Sequence, residues 1–418
     1  MTPARDKSYD YDVIVVGGAL VGASLALALA ESGLRIAVLD GQDFRLHAHD
    51  KPLAGQFDPR VSAITPASCQ FLEQLGVWQE VLCKRATAYT DMQVWDADGS
   101  GSIHFSAYDI HADALGHIVE NSVLLAALYT RLADFPTIEI LAPARLLALR
   151  SLPTAPSSGS ASVRLQLEDG RELSTALLVA ADGANSKVRE LAGFQTREWD
   201  YEHHAIVTTV RTALPHQRTA IQRFMDAGTL AFLPLSEGAD EQQHYCSIVW
   251  SVLPEFAQRL LEMNEAQFAQ ALEYGIENRL GAIEWSDKRF SVPLRQRHAK
   301  SYVQSGIALI GDAAHTIHPL AGQGVNLGFL DAAALAEEIL RAQHRRLSLG
   351  DLHVLRRYQR QRIGHNLGMM WVMEGFKHLF ADQGLGLRWL RNAGMSGLDS
   401  APALKNRVMR AAMGLDAS

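Results

Sequence analysis

Residues Asp12 to Asp40 read DVIVVGGALVGASLALALAESGLRIAVLD. Within them, Val13 to Ala30 is a run of 18 residues without a charge, long enough to suggest a membrane-crossing helix. Gly17, Gly18 and Gly22 argue against that reading, because a Gly-Gly pair interrupts a helix or marks a turn. The run divides into a β-branched strand (Asp12–Val16), a glycine turn and an Ala/Leu-rich helix (Val21–Glu31), followed by a second buried strand (Leu34–Asp40). Two strands joined by a helix imply a parallel sheet with a right-handed crossover. Against the pattern G-x-G-x-x-G, Gly17 and Gly22 hold the first and last places and Ala19 stands at the middle one. The first glycine permits the tight turn and the last lets the helix pack on the strand. The middle place must leave backbone N–H groups open to a pyrophosphate at the helix N-terminus. Asp40 lies 23 residues after Gly17, where a carboxylate can accept from ribose hydroxyls. The stretch predicts dinucleotide binding without separating a nicotinamide from a flavin dinucleotide.

The rest of the composition fits a soluble globular chain. It has 418 residues, 48% hydrophobic and 20% charged, which excludes disorder and fibrous repeats and suggests two or three structural units. Three cysteines (Cys69, Cys83, Cys246) are too few and too scattered for a disulfide framework or a zinc site, so a reducing compartment is expected. The net charge of −7 argues against nucleic acid as a partner. The charge is uneven: Glu337–Ser418 holds 13 Lys/Arg against 7 Asp/Glu. Such a tail suits an anionic membrane or an acidic partner, or is simply a solvated helical face. The polar N-terminus shows no signal peptide, and a cytoplasmic protein, peripheral at an inner membrane, is expected.

Further along, periodicity predicts a helix over Ser62–Gly76 and a hairpin of Met92–Trp95 and Ile103–Phe105 around Asp98-Gly99. It predicts a helix over Asn121–Phe135 and paired strands at Leu146–Arg150 and Val163–Leu167 around a flexible Pro153–Ser160 loop. A buried strand follows at Ala176–Ala181. From Thr196 to Arg289 the pattern becomes antiparallel, with strands at Ile206–Val210, Ala220–Phe224, Leu230–Leu235 and Tyr245–Val252, then one helix over Phe256–Tyr274. Leu309–Gly311 returns to a buried strand, followed by a long helix from about Gly324 to Ala342 and a helical tail. In the last helix Ser400 is the expected cap, Pro402 suits the first turn, and Leu404, Val408, Ala412 and Leu415 share a face.

Two more motifs decide the dinucleotide. Asp182-Gly183-Ala184-Asn185-Ser186-Lys187-Val188-Arg189 follows a buried strand. Gly311-Asp312-Ala313-Ala314-His315 is followed by His318-Pro319-Leu320-Ala321-Gly322-Gln323-Gly324-Val325-Asn326. Together with the first glycine turn, these resemble the aromatic-ring flavoprotein monooxygenases, the group that includes 4-hydroxybenzoate hydroxylase. That resemblance implies FAD. In the family Asp182-Gly183 would lie between FAD and a nicotinamide cofactor, Gly311-Asp312 would bind the ribityl chain and diphosphate, and Pro319, Gly322, Gly324, Val325 and Asn326 would lie beside the isoalloxazine. The chemistry of the residues agrees. Asp312 at a strand end can accept from ribityl hydroxyls, Gly322 and Gly324 allow close approach to a flat ring, and the helix N-terminus at Gly324–Asn326 offers N–H groups to an anionic reduced flavin.

A finer resemblance runs over almost the whole chain. Phe57–Ile64, Leu115–Ser122, Leu233-Pro234-Leu235, Ser247–Trp250 and the tail Pro402–Leu415 are similar to the 2-polyprenylphenol hydroxylases of ubiquinone biosynthesis, the His117–Asn121 segment and tail somewhat more to the C5-hydroxylating type. By family position Arg60 would reach the cofactor and Asn121 the flavin side. The plainer alternatives are a surface ion pair for Arg60 and a helix cap for Asn121. The implied architecture is α/β: a Rossmann-like FAD-binding domain (1–85, 115–195, 290–354) interleaved with an antiparallel-sheet substrate domain (86–114, 196–289), plus a C-terminal helical segment (355–418).

The implied reaction is that of an external monooxygenase. NAD(P)H, bound transiently, reduces FAD; oxygen forms a C4a-hydroperoxide, whose distal oxygen hydroxylates a polyprenylated phenol. No catalytic base is identifiable. His315 and His318 flank the flavin loop and read as neutral structural residues, and adjacent His203-His204 do not make a metal site. Phe224, Phe232, Leu233, Pro234 and Trp250 are candidate substrate-pocket walls, with ordinary sheet core as the alternative. Partners expected are the prenylated phenol, oxygen, and a biosynthetic complex or membrane met through the tail. Competing readings are a hydroxylase of a small soluble aromatic and a non-catalytic FAD-binding scaffold.

Overall fold

The computed structural model describes residues 9–47, 55–97, 101–152, 162–225, 228–237, 243–316, 324–381 and 401–414. Tyr11–Val16 lies inside an eight-stranded sheet, parallel to Ile36–Leu39 on one side and to Glu172–Ala180 on the other. Ile138–Leu141 and Ile307–Leu309 extend it, also in parallel. The inner strands of this sheet are mostly apolar and their central residues are buried, as parallel strands covered on both faces must be, while Ile138–Leu141 at the edge leaves Glu139 exposed. Leu146–Leu152 and Ser162–Leu167 form an antiparallel extension beside Glu172–Ala180. The Pro153–Ser160 loop and the Asp98-Gly99 turn lie outside the described residues.

A three-stranded antiparallel sheet joins Val61–Ile64, Gly116–Glu120 and Thr87–Tyr89. Here the structure corrects the expected helix over Ser62–Gly76. Val61–Ile64 is a strand, and the helix is Pro66–Gln74. Pro66 occupies the first turn, where a missing N–H costs nothing, and Thr65 caps it by accepting from the Ser68 N–H.

The third sheet has nine strands. Asp91–Asp96 and Ser102–Ser106 form the expected antiparallel hairpin, and Asp91–Asp96 runs parallel to Thr219–Met225. Gly228–Leu235, Tyr245–Val252, the long strand Thr196–Thr212 and Phe290–Ala299 follow in antiparallel order. Strand alternation gives this sheet two faces. On one, Ile206, Phe232, Ile248 and Trp250 pack with Leu260, Phe268 and Leu272 from two helices. Those helices, Pro254–Glu262 and Glu265–Gly275, replace the single expected helix. The chain breaks at Asn264, whose side chain accepts from the Gln267 N–H while the Gln267 side chain accepts from the Asn264 N–H, a capping box that begins a second helix. On the other face Leu233, Leu235, Tyr245 and Val249 meet Phe57, Tyr89, Met409 and Met413.

The long helix Gly324–His344 and the helix Leu352–Ala381 complete the main body. The last helix, Pro402–Ala412, docks back on the protein. Lys405 Nζ donates to the His104 carbonyl at 3.1 Å and pairs with Asp109 at 3.3 Å, and Met409 and Met413 are buried. Ser400 and Leu415 lie outside the described residues.

Candidate functional site

The helix Leu20–Ala28 starts at Ala19 without a side-chain cap, so its first N–H groups are open to a ligand. Gly17, at φ +102°, makes the turn close against the backbone of Ala181 and Asp182, where a Cβ would collide. The carboxylate of Asp40 accepts from the Gly18 N–H at 2.7 Å and from the Gln42 N–H at 2.8 Å, so it holds the turn in shape. Tyr129 Oη donates to the Gly18 carbonyl at 2.9 Å from beneath.

The long helix Gly324–His344 lies against this first helix, with Val21 filling the space beside Gly311 and Gly328. A side chain on Gly328 would push the two helices apart, and one on Gly311 would crowd Val21 from the neighbouring turn. Two helix N-termini therefore open on one cavity of about 1280 Å³, larger than the ~300–1,000 Å³ typical of drug-sized ligands. Among its walls are Ala19–Val21, Phe57–Ser62, Arg85, Glu120–Val123, Gly183–Asn185, Val292–Arg295, Gly311, Asp312, Thr316, Gly324 and Val325.

The three sequence motifs thus meet in one place. Ala19, Arg60, Asn121, Gly183, Gly311, Asp312, Gly324 and Val325 line the cavity. Arg60 is 77% exposed, its Nε 3.9 Å from Asp58. Asn121 is the first residue of the helix Asn121–Leu132, and its Oδ1 accepts from Ser62 Oγ at 2.7 Å; the preceding Glu120 occupies the cap position. Asp182 stands behind the wall, accepting from the Lys187 and Val188 N–H groups, with its other oxygen buried and unpartnered, and burial pushes its carboxyl up. Gly17, Gly18, Gly22 and Asp40 shape the turn from outside the lining. Asn326 is also off the wall. Its amide accepts from the Thr65 N–H at 3.0 Å and donates to the Ala63 carbonyl at 2.8 Å, tying the long helix to the strand Val61–Ile64. Pro319, Gly322 and His318 lie outside the described residues.

The pocket-wall candidates separate by strand parity. Phe232 and Trp250 are in the helix-facing core, and Pro234 is buried with the same parity as Phe232. The structure places these three away from the cavity side. Phe224 has the register of Thr229 and shares the cavity-side face with Leu233. His204 Nδ1 meets Ser291 Oγ at 2.9 Å, and no metal-holding cluster occurs among the described residues.

Two buried polar groups escaped sequence reading. Arg85 and Glu120 form an ion pair at the cavity edge. Glu120 accepts from Arg85 Nη2 at 2.9 Å and from the Asp58 N–H at 2.6 Å, and Arg85 donates to the Gln56 carbonyl at 2.7 Å. Burial pushes Glu120 up while Arg85 pulls it down. Deeper lies Asp331, bonded to His315, Arg362 and Asn366. A lone acid inside the apolar run Phe329–Ala336 was the available signal, since buried charges come paired.

An uncapped glycine-turn helix, an acid closing the second strand and a cavity large enough for two ring systems fit a dinucleotide. Residues 10–363 match the FAD binding domain family. The chain belongs to this family. It is 34% identical over 406 residues to 3-demethoxyubiquinol 3-hydroxylase of Escherichia coli, covering 97% of this chain and 98% of that protein. It is 35% identical to ubiquinone hydroxylase UbiL of Rhodospirillum rubrum over 99% and 91% of the two chains. It is 33% identical to the human ubiquinone biosynthesis monooxygenase COQ6, over 96% and 92%. The crystal structure of p-nitrophenol 4-monooxygenase from Pseudomonas putida shares the fold, with a TM-score of 0.71 at 19% identity over 95% and 96% of the chains. As a member of the FAD binding domain family, the protein uses FAD and is a flavoprotein aromatic hydroxylase of the ubiquinone-biosynthesis type.

Proposed function

We propose that this hydroxylase adds oxygen to the ring of a polyprenylated phenol, drawing reducing equivalents from NAD(P)H. The observation that carries the substrate class is the cavity's sheet wall. Val292–Arg295 line the cavity, and the same strand continues outward through exposed Phe290 and Val292. Phe290 and Val292 sit opposite Val207 and Ala205, and Val207 opposite Val249, so apolar side chains run from the cavity to the surface. A soluble phenol needs no such track, whereas an isoprenoid tail does.

Bound FAD supplies reduction and oxygen activation; the chain supplies position and a dry surface. The N–H groups at Ala19–Val21 would hold the diphosphate, with Arg60 as counter-charge and Asp40 beside the adenosine ribose. Asp312 would accept from the ribityl chain, and the Gly324–Val325 helix N-terminus would face the ring. Asn121 would sit on the flavin side and Asp182-Gly183 on the nicotinamide side. Val249, Val292 and Phe224 would orient the phenol and exclude water.

Contact with a membrane or biosynthetic complex is part of the same proposal. No helix among the described residues is long and apolar enough to cross a membrane, so the prenyl substrate would be met at a surface. Exposed Arg407 and Arg410 on the docked tail helix are the candidate contact. Deleting residues 400–418 should reduce flotation with anionic vesicles while leaving FAD bound; unchanged flotation rules the tail out.

The deciding experiment incubates purified holoprotein with NADH or NADPH, oxygen and either a polyprenylated phenol or the same phenol without its tail. A product heavier by one oxygen, formed only with the prenylated compound, is expected. Equal coupled turnover of the tail-free phenol would replace this reading with a hydroxylase of soluble aromatics. No oxygen incorporation from either, with FAD saturated, would leave a binding scaffold.

A further inference from the structure

The Gly311–Thr316 segment carries three cavity-lining residues, Gly311, Asp312 and Thr316, and its far end pairs with Arg297 and His298 of the nine-stranded sheet. A further support lies behind it. Asp331, on the long helix and fully buried, accepts from the Gly311 N–H at 3.1 Å and from His315 Nε2 through the same oxygen. Its other oxygen accepts from Arg362 Nε at 2.8 Å and Asn366 Nδ2 at 3.1 Å. Arg362 and Asn366 belong to the helix Leu352–Ala381 and bond each other at 2.8 Å. One carboxylate therefore clamps both ends of a cavity-facing segment to a helix on the far side. Burial alone would raise Asp331, but His315 and Arg362 outweigh it and hold the group at about 2. The matched FAD binding domain ends at residue 363, inside this helix, before Asn366.

We propose that Asp331 is a positioning residue for the flavin, and that Arg362 and Asn366 make the helix Leu352–Ala381 a working part of the FAD site. Asp331 does not itself line the cavity. It sets where the Gly311 and Asp312 backbone stands and how the His315 ring is turned. This rests on FAD being the ligand, which the wild-type protein tests separately by binding it.

The experiment compares Asn366→Ala, Arg362→Lys and Asp331→Asn with Arg357→Gln, a control on the same helix whose partner is Glu338. Apoprotein is titrated with FAD by flavin fluorescence quenching, and the midpoint potential and visible spectrum of the bound flavin are recorded beside thermal unfolding. Removing the donors that hold the Asp331 carboxylate, or one of its oxygens, should weaken FAD binding roughly 5- to 150-fold and shift potential and spectrum, while the control matches wild type in all three. If Asp331→Asn fails to fold, Asn366→Ala and Arg362→Lys decide. Folded variants with lowered melting temperature but unchanged FAD affinity, potential and spectrum would overturn the proposal and leave a purely structural cluster.

Discussion

The two faces of the nine-stranded sheet are made by the same strands yet do opposite work. The helix-facing side is closed, with Phe232, Ile248 and Trp250 in contact with two helices and almost no exposure. The cavity-facing side is graded, from Leu233 and Leu235 buried under the three-stranded sheet and the tail helix, through half-buried Val249, to exposed Phe290 and Val292. One residue of register separates a core position from a wall position. Aromatic content does not distinguish them, since Tyr245 and Phe290 stand on the open face as Phe232 and Trp250 do on the closed one.

The sharpest break in that comparison is Phe232→Ala. Emptying a sealed site should cost about 3–5 kcal/mol in urea unfolding while leaving the KM for the phenol within twofold of wild type. A large rise in KM at unchanged stability would put Phe232 on the substrate side.

Acid tests the end of the same strand. His216 is buried, its Nδ1 accepting from the Arg218 N–H at 3.1 Å and its Nε2 meeting the Leu235 carbonyl at 3.0 Å, so it is held neutral. Burial lowers it from 6.5 to about 4. The unfolded chain then takes up a proton first. Stability is complete above about pH 6.5, falls as pH drops toward 4, and loses on the order of 3 kcal/mol from this group. His216→Gln should flatten that slope; an unchanged slope would assign it to other groups such as His298, which is also lowered to about 4.

On the open face, Val292→Asp should change stability by less than ~0.5 kcal/mol because the site is exposed. Its KM for a prenylated phenol should rise roughly tenfold, about 1.4 kcal/mol, with no change for the tail-free phenol. Equal effects on both substrates would move the apolar track away from the tail. The smallest effect is expected at the tail helix. Lys405→Ala removes the bonds to Asp109 and His104 and should cost about 1 kcal/mol, read as a modest fall in melting temperature.

The nucleotide half was legible because its signals are local. Gly17, Gly22 and Asp40 fall within one unit of strand, turn and helix, and glycines needed for close backbone approach announce themselves by type. The Gly183 and Gly311-Asp312 turns reach the same cavity for that reason. What escaped depends on pairings remote in sequence. Asn326 reads as a flavin-side residue, yet its amide is spent on Ala63 and Thr65, more than 260 residues away. Arg85 and Glu120 look like surface charges until the three-stranded sheet brings them together. Val61–Ile64 pairs with Gly116–Glu120, so tertiary contact overrode a helical pattern there. The wall candidates Phe232, Pro234 and Trp250 fall on the helix-facing side by parity, which a strand boundary uncertain by one residue cannot supply.

The place of Ile307–Leu309 in the first sheet also shapes how the protein is made. Glu172–Ala180 leaves the ribosome with Tyr11–Val16 along one edge and, along the other, only Ser162–Leu167 beside residues 172–175, so Leu178–Ala180 is bare on that side. Its cover there, Ile307–Leu309, is about 130 residues further on, roughly 6–26 seconds at ordinary rates of synthesis. During that interval a very apolar strand edge waits open in the nascent chain, while the strands from Thr196–Thr212 to Phe290–Ala299 of the nine-stranded sheet are being made. Yield in a heterologous host should therefore respond to chaperone supply and slowed growth more than to any single stabilising substitution.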